Sequence, residues 1–240
     1  RKRDIYRQAI ANHQLHIVAD SKWLAQEAGN SGLLSEAPIQ TIHYGLDHLT
    51  FQPRETEGIR RAFDIPESHQ ILLFVAQSAS NRRKGFDLLT EALTHLSRED
   101  LTLLSVGGEK PDLETPHPHL HLGTIESNLL LSVFYSVADL FIIPSRQEAF
   151  GQTALESMAC GTPVIGFDTG GIPDMIHPGE TGWLAEVGDV TSLRETIEQA
   201  LENPEARDRM GKQCRKIVLE EYTLERQAKD YLELYEYIST

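Results

Sequence analysis

Two carboxylates eight residues apart, Glu148 and Glu156, carry the strongest chemical signal in the chain. They bracket Ala-Phe-Gly-Gln-Thr-Ala-Leu, preceded by the apolar run LFIIP at 140–144. Read locally, a strand ends at Pro144, a loop holds Glu148, and a helix opens near Gly151 with Glu156 in its second turn. Glycine at the opening lets a ligand approach the backbone closely, and the amides of a helix start favour an anion such as a diphosphate. Glu156 would lie on the ligand side of that helix, able to accept two hydrogen bonds from ribose hydroxyls. Glu148 could do the same for a second polyol. A ligand with sugar, diphosphate and ribose in series suits this array. The bland alternative, a solvated loop acid and a helix-face acid, is the usual fate of carboxylates. Their placement around Phe150-Gly151 in an otherwise apolar strand–loop–helix argues against it.

These side chains need a scaffold, and the hydrophobic pattern supplies one. Short apolar runs at 15–19, 39–44, 71–76, 101–106, 140–144 and 163–167 are predicted strands. Helical stretches alternate with them, starting after Ser21, after Ser127, near Gln152 and after Asp189. The clearest starts at Phe86 and repeats apolar residues at Leu89, Ala92, Leu93 and Leu96, the spacing of one buried face. Continuous apolar strands alternating with helices predict an α/β fold, a parallel sheet covered on both faces. Ligands of such sheets bind outside the carboxyl ends of the strands. The tail after Tyr222, with Tyr231, Leu232, Leu234, Tyr235 and Ile238, is predicted to be amphipathic and to need a surface.

EAFGQTALE, from Glu148 to Glu156, resembles the E-x7-E signature of retaining glycosyltransferases of family 4, the glycosyl transferases group 1. Other segments resemble that family in the right order: IHYGLDHLTFQP at 42–53, RKGFDLLTEAL at 83–93, LHLGTI at 120–125, VFYSVADLFIIPS at 133–145, CGTPVIGFDTGGIPDMI at 160–176 and GETGWL at 179–184. The resemblance implies a GT-B enzyme of two Rossmann-like halves, with this chain matching the C-terminal, donor-binding half. Glu156 would hold the ribose, and Glu148 would contact the transferred sugar and stabilise charge at its anomeric carbon. Backbone around Phe150, Gly151, Gln152 and Thr153 would face sugar and phosphates, and the turn at Gly123 and Thr124 would lie by the base. Such enzymes retain anomeric configuration and use basic residues rather than a metal on the diphosphate. No cofactor is implied beyond the nucleoside diphosphate sugar as substrate, and no Asp-x-Asp occurs in the chain.

Two departures from the family pattern matter. The expected Gly-Arg-Leu after the strand at 71–76 is replaced by Gln77-Ser78-Ala79, so Arg83 and Lys84 are the expected phosphate clamp, with Arg82 beside them. A solvated basic loop is the alternative. The second departure is the absence of an acceptor-binding half. Residues 1–45 are expected to be the remnant of an N-terminal domain with its linker, 46–215 the donor-binding domain, and 216–240 a helix crossing back to the first domain. The chain alone is then expected to bind donor and transfer weakly. Alternatives are a non-catalytic nucleotide-sugar-binding subunit or sensor, or an epimerase or phosphorylase on the same fold.

Composition narrows the rest. With 36 acidic against 22 basic residues and a net charge of −14, no nucleic-acid partner is expected, nor membrane contact through this chain. Two cysteines form no framework and point to a reducing, cytoplasmic setting, any contact with the inner membrane face being left to the missing domain. His117, His119 and His121 alternate, but Pro116 and Pro118 interrupt them and no metal site is expected; a loop leading into a strand is. Cys160 reads as a small buried hydrophobe, Trp23 and Trp183 as core or interface packing, and Asp174 as the cap of a following short helix. Neither G-x-G-x-x-G nor a P-loop occurs, which disfavours a dehydrogenase or P-loop NTPase.

Overall fold

Leu72, Leu73, Leu103, Leu104, Phe141, Ile142, Val164 and Ile165 alternate across the two faces of one sheet, and each is at most 1% exposed. Full burial of each such side chain contributes roughly 1.5–3 kcal/mol, so a sheet of this composition must be covered on both sides. The computed structural model describes residues 2–12, 14–111 and 115–239. In chain order the elements are α1 (Lys2–Ala11), β1 (Ile17–Ala19), α2 (Lys22–Asn30), β2 (Ile39–Thr41), α3 (Ile59–Ala62), β3 (Gln70–Val75) and α4 (Phe86–Thr94). There follow β4 (Leu101–Val106), β5 (His119–His121), α5 (Asn128–Val137), β6 (Leu140–Ile143), α6 (Gln152–Ala159), β7 (Val164–Phe167) and β8 (Gly182–Ala185). Three helices end the chain: α7 (Val190–Leu201), α8 (Pro204–Glu221) and α9 (Leu224–Ser239).

Six strands form one parallel sheet in the order β5-β4-β3-β6-β7-β8. One core joins Leu73, Leu104 and Phe141 to Tyr135 of α5, Leu155 and Met158 of α6, and Val218 of α8. The opposite core joins Leu72, Leu103 and Ile142 to Leu89 and Leu93 of α4 and Leu193 and Ile197 of α7. This is the Rossmann-like α/β sheet with helices on both faces that the pattern predicts. Beyond β3 the chain moves outward to β4 and β5, then returns to the other side of β3 as β6. The carboxyl ends of β3 and β6 therefore flank a topological switch point, where open sheets of this kind bind ligands.

Helix starts follow the sequence reading. Ser21 accepts from Leu24 N, Ser127 from Leu130 N, and Asp189 from Thr191 N and Ser192 N. Differences fall at the edges. β1 and β2 are shorter than the runs at 15–19 and 39–44 and pair only with each other; after Thr41 the chain turns to pack His43 on the body. β5 is the short strand expected after the loop at the alternating histidines, and β8 is an additional edge strand of four residues whose opening glycine weakens its signal. The boundary expected between 215 and 216 falls inside α8, and the break comes at Tyr222 and Thr223, with Asn203 and Pro204 opening α8.

Trp183 is buried as expected, and Trp23 is 37% exposed on α2. One single-residue expectation changes. Asp174 caps no following helix: it ends the short 3-10 turn Ile172–Asp174, accepts from Lys22 N at the start of α2 at 2.7 Å, and meets His43 Nε2 at 3.1 Å. Its carboxylate thus joins two segments distant in sequence, which no local pattern can reveal. Among the described residues no helix is long and apolar enough to cross a membrane.

Candidate functional site

The switch point is built from a turn and a loop that lock together. After β3 the chain enters a 3-10 turn, Arg82–Lys84, closed by Gly85 at φ +70°. A Cβ on Gly85 would collide with the carbonyl oxygen of Pro144, so glycine is what lets the turn lie on the loop after β6. Arg146 staples the two: its N donates to Arg83 O at 2.8 Å, and its Nη1 to Arg82 O at 2.6 Å. Its guanidinium also grips Asp87 through two bonds of 2.8 Å. Those hydrogen bonds hold the Asp87 carboxyl below its usual range.

That staple brings Lys84 and Glu148 together from 64 residues apart. Lys84 Nζ donates to Glu148 Oε2 at 2.6 Å, and Ser145 Oγ lies 3.3 Å from the same oxygen. The two charged side chains are 23% and 12% exposed, a partly desolvated pair rather than a surface one. Arg83 is exposed on the same turn. Arg82 lines a separate cavity of about 580 Å³ with Phe86 and Lys110, on the α4 side of the turn.

Gly151 opens α6 at φ +102° and offers no side-chain cap, so the first-turn amides have only backbone or ligand to bind. A Cβ there would press on Met175 Cε at 3.3 Å. Phe150 is turned into the core against His43 and Tyr44, leaving only its backbone for a ligand. Gln152 is exposed and Thr153 half-buried at the helix start. One turn on, Glu156 accepts a hydrogen bond from Tyr135 OH at 2.9 Å. Burial pushes the Glu156 carboxyl up to about 7, and the Tyr135 bond pulls it down in part. Tyr135 itself is raised, first by burial and then by the neighbouring carboxylate.

Gly123 and Thr124 sit beyond β5 on the same carboxyl edge. Gly123 O accepts from Gly107 N at 3.0 Å, and Thr124 is exposed, its hydroxyl near Gly108. The structure thus groups Lys84, Glu148 and the α6 start, sets Glu156 one helical turn away, and leaves Arg83 outward and Gly123-Thr124 at the far side of the edge. Tyr135, Ser145 and Arg146 were not singled out from sequence. Tyr135 and Ser145 lie within VFYSVADLFIIPS, but a tyrosine on a buried helix face looks like any core aromatic.

The alternating histidines are engaged in hydrogen bonds of their own. His119 Nε2 and His121 Nδ1 share Ser105 Oγ at 2.7 and 2.9 Å, while His117 Nε2 bonds Leu93 O at 3.1 Å. Among the described residues, no three His, Cys, Asp or Glu side chains are grouped to hold a metal. Cys160 is buried, and burial pushes its thiol up to about 12, far from a nucleophile's range.

Residues 55–217 match the family model described as glycosyl transferases group 1. N-acetyl-alpha-D-glucosaminyl L-malate synthase of Bacillus anthracis is 30% identical over 204 residues, covering 82% of this chain and 53% of that protein. The sucrose-phosphate synthase structure from Thermosynechococcus elongatus superposes with a TM-score of 0.83 at 26% identity, over 99% of this chain and 61% of that one. Anabaena HepE, solved in complex with UDP-glucose, shares the fold with a TM-score of 0.79 at 18% identity, over 98% of this chain and 68% of that one. Solved structures like this one are GT-B glycosyltransferases, and the chain spans about half the length of the curated relatives it matches. With the family model matching residues 55–217, the chain belongs to the glycosyl transferases group 1 family.

Proposed function

We propose that this chain is the donor-binding part of a retaining, metal-independent glycosyltransferase. The whole protein would move a hexose from a nucleoside diphosphate sugar to a glycan or lipid-linked acceptor held by another domain. The observation that carries this reading is the grouping of a cation, a carboxylate and an uncapped helix start at the switch point: Lys84 Nζ on Glu148 Oε2, beside Gly151. A diphosphate would have its ligands there in Lys84 and the amides of residues 150–153, with the exposed Arg83 turning in from the rim of the same turn. Glu156 would take the ribose hydroxyls, and the turn at Gly123 and Thr124 would lie by the base. That HepE was solved with UDP-glucose supports a nucleotide sugar as the ligand class.

In the reaction, Glu148 faces the sugar and stabilises positive charge developing at its anomeric carbon. The acceptor oxygen attacks that carbon from the face the diphosphate leaves. As the C–O bond to phosphate breaks, the acceptor proton passes to the departing phosphate oxygen. Lys84 then exchanges part of its interaction with Glu148 for the growing phosphate charge, a stabilisation specific to the transition state. No cofactor takes part. The setting is cytoplasmic, any membrane contact coming from another domain, and the chain alone transfers weakly.

The test follows the anomeric proton by NMR during transfer by the whole protein, with and without EDTA. Product formed first with the donor's own configuration, at unchanged rate in EDTA, is expected. The inverted anomer, or loss of rate on chelation, would overturn the mechanism.

A further inference from the structure

β1 and β2 form their own parallel pair, and Asp20 is the first residue beyond the carboxyl end of β1. Parallel strands present ligand-binding groups at that end. This end abuts the loop that carries Glu148. Ser21 Cβ lies 2.8 Å from where a Cβ on Gly171 would stand, and Gly171 N donates to Glu148 O at 2.9 Å. Asp174 holds the next residue from the other side through Lys22 N. Asp20 is therefore fixed at the seam between the β1–β2 pair and the six-stranded body.

The groups around it come from every side of that seam. Burial pushes the Asp20 carboxyl above its usual range, the Ser21 hydroxyl and His43 pull it back in part, and the charge on Glu148 pushes it further up. Tyr231 of α9 also feels it, after its own burial and its neighbours Tyr235 and Tyr44. Yet Asp20 Oδ1 is shut off from water with no hydrogen-bond partner. A buried acceptor without a donor is destabilising, and such a group calls for an explanation, such as a donor on a ligand. The residue as a whole is half-buried, and the carboxyl torsion of aspartate is broad. A small rotation therefore offers an oxygen to a hydroxyl entering beside Glu148.

We infer that Asp20 reads the transferred sugar, its carboxylate accepting a hydrogen bond from a hydroxyl of the hexose that Glu148 contacts. This rests on the donor-binding reading above. It gives the β1–β2 pair a role in sugar choice: the body holds the nucleotide, and the seam discriminates among hexoses by the hydroxyls they present. A site built to pair a hydroxyl rejects an analogue lacking it far more strongly than an apolar pocket does.

The experiment titrates the chain and its Asp20→Asn and Asp20→Ala variants with UDP, GDP and ADP. The same proteins are titrated with UDP-glucose, UDP-N-acetylglucosamine, GDP-mannose and ADP-glucose. For the nucleotide that binds, the ratio of nucleotide-sugar Kd to free-nucleotide Kd is expected to rise about tenfold in both variants. Free-nucleotide Kd should stay the same, and the melting temperature should not fall. An unchanged ratio would overturn the inference and leave the donor site standing. A lower melting temperature with equal losses for nucleotide and nucleotide sugar would assign Asp20 a structural role instead. Wild type binding none of these ligands would remove the functional reading and this inference together.

Discussion

Glu148 and Glu156 belong to one short span, yet their surroundings differ: one meets a cation, the other is buried against a neutral donor. Glu148 sits on a loop with an ammonium 2.6 Å away, supplied by a turn that Arg146 and Gly85 fix against it. Glu156 sits on a helix, desolvated and, among the described residues, met by the neutral Tyr135 hydroxyl rather than a cation, so that its carboxyl is pushed up to about 7. On the donor-binding reading, a carboxylate paired with a cation from another segment serves the reacting end of the substrate. A carboxyl that is only half ionised near neutrality gains its charge when donors arrive. The difference shows how one fold gives two identical side chains different environments: the neighbours, not the motif, set them apart.

If that comparison is right, the two residues fail in different ways. Glu148→Gln should cut transfer by the whole protein more than about 100-fold, as losing one electrostatic stabiliser does, while free-nucleotide affinity stays within about twofold. A fully active Gln variant, measured by transfer of labelled sugar, would erase the distinction. Glu156→Ala should weaken nucleotide binding by about 1–3 kcal/mol through lost charge-assisted hydrogen bonds; unchanged affinity by calorimetry would remove Glu156 from the site. Tyr135→Phe sharpens the comparison with a smaller effect. Its hydroxyl lowers the Glu156 pKa, so removing it should raise that pKa above about 7. Nucleotide-sugar affinity at pH 7 should then drop by about 0.5–1.5 kcal/mol. The deficit should shrink as pH rises and Glu156 ionises in both proteins. A deficit equal at all pH values would mean that Tyr135 supports the helix and not the charge.

Much of this was readable in the amino acids, and the reason is local. The runs at 71–76 and 101–106 are apolar on both faces, so they report a covered parallel sheet without help from the rest of the chain. Gly151 followed by Glu156 at helical spacing reports a helix start with an acid one turn in. What could not be read are relations across distance. Three consecutive bases, Arg82, Arg83 and Lys84, look alike in sequence; only the collision-free fit of Gly85 on Pro144 decides that Lys84 meets Glu148. Asp174 reads as a local cap, yet its partners Lys22 and His43 lie 152 and 131 residues away. Tyr135 shows its burial in the hydrophobic pattern but not its bond to Glu156.

The most direct measurement is calorimetric titration of the chain with the nucleotide sugar it binds, at pH 6 and pH 8, in buffers of different ionisation enthalpy. Ribose hydroxyls donating to Glu156 would favour its ionised form, and burial pushes its carboxyl up to about 7 before binding. The account predicts close to one proton released per ligand at pH 6, almost none at pH 8, tighter binding at the higher pH, and no proton linkage in Glu156→Ala. Binding without proton release at pH 6, or equal affinity at both pH values and in the variant, would contradict the assignment of Glu156 to the nucleotide.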